Sequence, residues 1–319
     1  MANVEYWHHL WLDRIAKIFR WRRQHMHKTL LTQLTGCAFL MSLIMLQPVS
    51  ASQSTARSDS ADTGVRLFVF NCGDFLFPSL LNFGIDDNET TVRALVVPCY
   101  VIEHPKGTML WDGGLPSAIA NVPGWQRNPD SGVQLRLQRT LQDQLLAMDL
   151  GFDLTSIDLA AFSHIHYDHV GVANELTNAT WLVQRGDYDV VAAGAAVPAY
   201  DPALFAEIRK RPTRVLDGDF DVFGDGTVRL ISATGHTPGH QVLYLELAEF
   251  GPLILSGDLY HFRISREQRR VPMFNVDKGL TLTAMDKIEA LVASTGATFW
   301  IEHDAALFQT LSLAPDYYR

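Results

Sequence analysis

Short apolar runs closed by Gly, Asp, Asn or Pro recur along this chain from Val65 onwards. Runs of that kind read as strands buried on both faces. Residues 65–70 read as a first strand, and 95–102 and 109–112 as a pair joined by the turn His104-Pro105-Lys106-Gly107. Residues 157–162, 181–184, 228–233, 241–247, 252–256 and 298–301 continue the series, with Gly224-Asp225-Gly226 as a hairpin turn. Two stretches show helical spacing instead: 135–148, through Leu137, Leu141, Leu145 and Met148, and 282–292, through Met285, Ile288, Leu291 and Val292. Strands outnumber helices and the two interleave, so the pattern predicts an α/β (or α+β) core. Residues 76–88 read as a loop, unusually rich in Phe and Leu.

The polar residues that matter stand where these strands end. The run at 157–162 leads into Ser163-His164-Ile165-His166-Tyr167-Asp168-His169. His164 and His166 are two apart and project to one side, while Asp168 and His169 follow in the turn. Three further strands end on His236, Asp258 and the Glu302-His303-Asp304 stretch. Neutral imidazole with carboxylate is the donor set for zinc and its neighbours. Titratable groups crowded at strand ends cost desolvation energy unless something binds them. Gly235-His236-Thr237-Pro238-Gly239 is no phosphate loop, because it lacks the lysine and the following helix.

Charge divides the 319 residues unevenly. Residues 1–51 hold six Lys/Arg against two Asp/Glu, net +4, and the rest holds 20 against 33, net −13. An acidic body argues against a nucleic-acid partner, which needs a basic face. The basic front, with Arg20, Arg22, Arg23 and Lys28, runs into an apolar stretch at 37–46 and then Val49-Ser50-Ala51, a small-x-small cleavage pattern. Residues 1–51 are therefore expected to be a signal segment, starting at Met1 or Met26, and 52–64 a Ser/Ala/Asp/Thr-rich linker. The apolar stretch is too short to span a bilayer, so the expectation is an exported, periplasmic or secreted protein with no membrane span after cleavage. Cys72 and Cys99 remain beyond that segment; their apolar surroundings favour buried thiols, and an oxidising compartment permits a disulfide.

Taken together, the strand-end motifs resemble the metallo-β-lactamase superfamily, and within it the N-acyl homoserine lactone lactonases. The resemblance spans Val65 to the C-terminus, and rests on Val97-Pro98-Cys99-Tyr100, Glu103-His104-Pro105-Lys106-Gly107, Phe223-Gly224-Asp225-Gly226, Gly235-His236-Thr237-Pro238-Gly239-His240-Gln241 and Glu302-His303-Asp304, with the histidine cluster between them. It implies a four-layer αβ/βα sandwich over 65–319. It also implies two divalent ions, zinc first, with iron, manganese or cobalt as alternatives. One ion would take His164, His166 and His236, the other Asp168, His169 and His303, with Asp258 bridging. His240 would be structural, and His104 and His261 carry no role.

The chemistry implied is attack on a lactone ring by a hydroxide bridging two ions, which lower the pKa of bound water. Asp168 would pass a proton to the leaving alkoxide and Tyr260 would meet the carbonyl, although the lactonase pattern has its tyrosine three residues after the bridging aspartate rather than two. Leu80 and Phe83, in the apolar loop, are the expected contacts of an acyl tail. A homodimer is left open. The runner-up is an aryl-ester or organophosphate hydrolase of the same fold. A β-lactamase, a thioesterase and a non-catalytic metal-binding protein stand behind it: Asp258 is the wrong residue for the first, and the complete ligand set speaks against the last.

Overall fold

The computed structural model describes residues 64–148, 151–195, 197 and 199–319. The expected signal segment, and the linker up to residue 63, lie outside the described residues. Thirteen strands occur among the described residues: β1 (Arg66–Leu76), β2 (Ala94–His104), β3 (Gly107–Trp111), β4 (Gln126–Arg127), β5 (Gln134–Arg136), β6 (Leu159–Ala161), β7 (Thr180–Gln184), β8 (Thr213–Leu216), β9 (Phe220–Asp221), β10 (Val228–Ser232), β11 (Gln241–Leu247), β12 (Gly251–Leu255) and β13 (Thr298–Trp300). The helices are α1 (Leu141–Met148), α2 (Arg185–Ala193), α3 (Arg263–Gln268), α4 (Lys278–Thr295) and α5 (Ala305–Phe308).

The strands form two sheets, ordered β4-β5-β1-β2-β3-β6-β7-β8 and β13-β12-β11-β10-β9. Side chains alternate across a strand, and here both sides are apolar. On β1, β2 and β3, Leu67, Val69, Tyr100, Ile102, Met109 and Trp111 pack against Leu230, Leu243, Leu245, Leu253 and Leu255 of the second sheet. Their neighbours Phe68, Phe70, Val101 and Leu110 turn outward onto Leu141 and Leu145 of α1 and Val191 of α2. Val242, Tyr244 and Ile254 face the other way, onto Ala284, Met285 and Ile288 of α4. Helix, sheet, sheet, helix is the four-layer sandwich that the superfamily resemblance implies. Each large side chain buried this way stabilises by about 1.5–3 kcal/mol, which explains why the strands read as continuous apolar runs.

Two boundaries differ from the sequence reading for local reasons. Residues 135–148 are not one helix: Leu135 pairs with Phe75 in the sheet, and α1 begins where the Thr140 hydroxyl accepts from the Asp143 amide at 3.0 Å. Helix α4 is longer than 282–292 because Asp277 caps its start, accepting from the Leu280 amide at 2.8 Å, and Gly296 ends it in the left-handed conformation. Helix α2 was not foreseen; its polar sequence Arg-Gly-Asp-Tyr-Asp shows no apolar period, although Asp187 is buried.

The turns that matter sit at one end of the strands. β3 and β6 are parallel neighbours, as are β12 and β13. Their C-terminal ends, with the loop after β10, deliver Asp112, the 163–169 stretch, His236, Asp258 and His303. The opposite end is closed structurally: His104 stacks on Phe223 at 4.0 Å, and Lys106 Nζ donates to Asp225 at 3.0 Å. Two of the stretches noted in the sequence therefore hold the fold together far from the metal-type residues. No helix among the described residues is long and apolar enough to cross a membrane.

Candidate metal centre

All seven expected ligands meet at one point in the fold, in two groups that share Asp258. In the first, His236 Nε2 lies 3.2 Å from His164 Nε2 and 3.1 Å from His166 Nδ1. Asp258 Oδ2 stands 3.0 Å from His236 Nε2 and 3.4 Å from His164 Nε2. In the second, Asp258 Oδ1 lies 2.8 Å from His303 Nε2 and 3.3 Å from His169 Nε2. Asp168 Oδ2 completes it at 3.7 Å from His169 Nε2 and 4.0 Å from His303 Nε2. Each carboxylate oxygen of Asp258 thus faces a different group.

The far nitrogen of most of these rings is held, which fixes tautomer and direction. His169 Nδ1 is 2.8 Å from Asp112 Oδ2, and His303 Nδ1 donates to the Val96 carbonyl at 2.7 Å. His236 Nδ1 meets Asn275 Oδ1 at 2.9 Å, and His164 Nδ1 meets Ser163 Oγ at 2.9 Å. Asp112 also accepts from the Ser163 amide at 2.6 Å and the Ser163 hydroxyl at 2.9 Å. A third group, Asp112, His169 and Glu302, also has donor spacing. There Asp112 is already engaged by three donors, so its work is to orient His169. Asp112 holds φ +55°, a left-handed backbone that costs a non-glycine residue energy, so the site imposes this turn.

Do these residues fit metal ions? Three buried imidazole nitrogens converge in the first group, and with Nδ1 of His164 and His236 engaged by Ser163 and Asn275, their Nε2 atoms turn lone pairs toward one another. In the second, His169 Nε2 and Asp258 Oδ1 are buried and close to one another at 3.3 Å, yet neither makes a well-aligned hydrogen bond, an unfavourable arrangement that a cation would resolve. Tetrahedral bonds of about 2.0–2.1 Å put donor atoms about 3.4 Å apart, close to the 3.0–3.4 Å seen around Asp258 Oδ2. The donors fit two divalent ions.

The two groups differ in protonation. Burial drives His164 and His166 well below the usual imidazole range, so they stay neutral. Burial also acts to lower His169 and His303, but the carboxylates beside them, Asp258 foremost, outweigh it and hold both above that range; a bound cation would have to displace those protons. Burial alone would raise the Asp258 carboxyl, but the positive histidine environment around it, His169 and His303 included, outweighs burial and holds it well below the carboxylate range. Burial, then the charge of Asp112, pushes Glu302 up to about 8, so the carboxyl beneath the site stays neutral. Glu302 Oε1 accepts from Trp111 Nε1 at 2.9 Å and the Gly257 amide at 2.8 Å, tying β3 to the Asp258 turn.

His240 stays out of both groups. Its Nδ1 donates to the Ala233 carbonyl at 3.0 Å and its Nε2 accepts from the Asp258 amide at 3.0 Å, so it braces the turn that presents Asp258.

A metallo-beta-lactamase superfamily model matches residues 92–295. The chain belongs to this superfamily. It is similar to the N-acyl homoserine lactonase AttM of Rhizobium johnstonii, 30% identical over 272 residues that cover 80% of this chain and 99% of that protein. In fold it is similar to a mutant of AiiA from B. thuringiensis with N-decanoyl-L-homoserine bound at the active site: TM-score 0.65, 23% identity, 80% of this chain and 99% of the other. AidC, described as a dizinc quorum-quenching lactonase, has a TM-score of 0.55 at 17% identity, over 75% of this chain and 86% of its own.

Three expectations about this metallo-β-lactamase-fold site need correction. Tyr260 does not reach the metal-type residues: its hydroxyl donates to Glu289 at 3.1 Å and its ring packs beneath α4. Asp258 lies in a single turn of 3-10 helix, Gly257–Leu259, so the residue after it swings to the opposite side and two-apart spacing does not keep a face. Leu80 is fully buried and packs the loop rather than lining a cleft. Phe83 does stand beside the site, 5.0 Å from His261, 5.1 Å from Phe77 and 5.3 Å from Phe274. Finally, Cys72 and Cys99 are bonded as a disulfide with Cα atoms 5.7 Å apart, not held as thiols. They lie directly behind Gly114, where a Cβ would meet Cys72 Cβ at 2.2 Å.

The sequence reading missed Asp112, Asn275 and Val96. Asp112 left one signal, an aspartate at a strand end ahead of two glycines.

Proposed function

We propose that this chain opens the ring of N-acyl homoserine lactones, using two divalent ions held by His164, His166 and His236 on one side and Asp168, His169 and His303 on the other. The observation that carries the reading is Asp258, one oxygen turned to each group. Zinc is the first candidate, and AidC, described as dizinc, supports it. Bound here, such ions supply a nucleophilic hydroxide near neutral pH and polarise an acyl oxygen.

The protein's part is positioning and proton handling. Water adds across the acyl C–O bond, the new C–O bond forming at the carbonyl carbon while the ring oxygen leaves as an alkoxide. That alkoxide needs a proton. Asp168 is the most accessible carboxylate of the donor set, 14% exposed against 5% for Asp258, and lies where it can carry that proton. Phe83, Phe77 and Phe274 form an aromatic wall beside the site, an apolar surface for an acyl tail. The relative named AttM, matched over nearly its whole length, supports lactone as substrate.

The reading includes export. The basic stretch, apolar run and Val49-Ser50-Ala51 support it, and the Cys72–Cys99 disulfide suits an oxidising compartment. The test is product analysis of N-hexanoyl homoserine lactone incubated with metal-loaded protein. Ring-opened acid, one water heavier, is expected. No opening of any homoserine lactone alongside fast cleavage of an aryl ester or phosphotriester would move the assignment to the runner-up.

A further inference from the structure

The turn at 112–115 is pinned from two sides. Toward the metal-type residues, Asp112 Oδ2 meets His169 Nδ1 at 2.8 Å. The Gly113 amide donates to the His169 carbonyl at 2.5 Å, and the Gly171 amide donates to the Gly114 carbonyl at 2.8 Å. From behind, the Leu115 amide donates to the Cys72 carbonyl at 3.0 Å. A Cβ on Gly114 would lie 2.2 Å from Cys72 Cβ and 2.9 Å from Cys99 Sγ, so this backbone rests directly on the disulfide. Both cysteines are buried, in the same apolar cluster as Val170 and Val172.

The disulfide also stands where the sheet is interrupted. The register of β1 on β2 runs from Arg66 to Asn71, skips Cys72 and Gly73, and resumes at Asp74. A bulge of this kind costs the ladder hydrogen bonds, and Pro98, opposite Asn71, has no amide to donate. The Cys72–Cys99 bond ties the two strands across that gap. Breaking it changes space as well as linkage. Two thiols need more room than one disulfide, because bonded sulfurs sit closer than contact distance. Gly114 has no side chain to move aside, so the turn itself must give.

We propose that the Cys72–Cys99 disulfide is a redox-sensitive positioning element for the group of Asp168, His169 and His303. A dithiol supplies two electrons and two protons, is itself oxidised to a disulfide, and leaves Cys72 and Cys99 as thiols. The 112–115 turn then loosens its hold on His169, and this group binds its ion more weakly. The other group depends less on that turn, because Asn275 holds His236 from elsewhere. The inference rests on the two-ion reading above. In an exported chain the second ion would be tight only after oxidation.

Peptide mapping of protein isolated without reductant should first find Cys72 linked to Cys99; two thiols there would overturn the proposal. Chelator competition then measures both ions in three forms: oxidised protein, phosphine-reduced protein, and Cys72→Ala/Cys99→Ala. A phosphine becomes its oxide as water supplies the oxygen and both protons, and it competes for zinc less than a dithiol. Thermal melts check folding, and either altered form suffices where the other fails to fold or resists reduction. The ion at Asp168, His169 and His303 should bind about tenfold more weakly or worse without the disulfide, and the other ion should change by less than about threefold. Hydrogen exchange on metal-free protein gives a reading that needs no ion. The Gly113, Leu115 and Gly171 amides should exchange about tenfold faster or more without the disulfide, while those of Leu243 and Leu245 in β11 keep their rate. Equal weakening of both ions, unchanged affinity, or unchanged exchange at the turn would overturn the proposal. Exchange that quickens equally in the turn and in β11 would show general loosening and overturn it too. Should oxidised wild type hold only one ion, the two-ion reading fails, and the exchange comparison alone decides the role of the disulfide.

Discussion

Asp112 holds His169 from behind: its Oδ2 lies 2.8 Å from His169 Nδ1, and both side chains are buried. The contact turns the other nitrogen of His169 toward Asp258 and adds negative charge behind the ligand. Asp112→Asn removes the charge while keeping the shape. The ion held by Asp168, His169 and His303 should bind about 10- to 100-fold more weakly, with the ion at His164, His166 and His236 little changed. Chelator competition on zinc-loaded protein measures both. Equal weakening of the two ions, or none, would contradict the role given to Asp112.

Asp187 gives a prediction in pH. It is buried under the His236 loop, accepting from Thr237 Oγ at 2.9 Å and the Gly239 amide at 2.7 Å. Burial outweighs those hydrogen bonds and raises its carboxyl from 3.8 to about 7. The group is harder to ionise folded than unfolded, so its stabilisation is complete below its unfolded value and is lost as pH rises to about 7. Asp187→Asn cannot ionise. Its stability relative to wild type should climb between about pH 4 and 7, on the order of 1 kcal/mol per pH unit at most, and level off above. A difference constant across that range would refute the assignment.

Phe83 tests the acyl wall. Truncation to Ala should raise KM for long-chain lactones more than for short ones, because each buried methylene contributes up to about 0.8 kcal/mol. Severalfold to tenfold differences between hexanoyl and dodecanoyl substrates are expected in steady-state assays. Equal losses for both would mark Phe83 as packing only.

What could be read in the sequence was what lies local to a strand end. The His164 to His169 cluster announces itself within a few residues, and each remaining ligand closes its own apolar run. The apolar pattern gave an α/β core, and the four layers came from the resemblance to the metallo-β-lactamase superfamily. What escaped depends on distant partners. Asp112 meets His169 only because β3 and β6 pair in parallel. Asn275 meets His236 from the loop ahead of α4. Cys72 reaches Cys99 across a register shift between Asn71 and Asp74, and such a shift leaves no mark on the apolar pattern. Tyr260 was assigned from the lactonase pattern despite its different spacing from Asp258, and its hydroxyl pairs with a distant partner, Glu289 of α4.

The central claim is that Asp258 joins two metal-binding groups, and metal stoichiometry tests it most directly. Protein expressed in metal-supplemented medium and analysed for elemental content should hold two divalent ions per chain. His303→Ala should retain about one, and Asp258→Asn should lose affinity for both. A wild-type chain holding one ion or none, or a His303→Ala chain that keeps both, would contradict it.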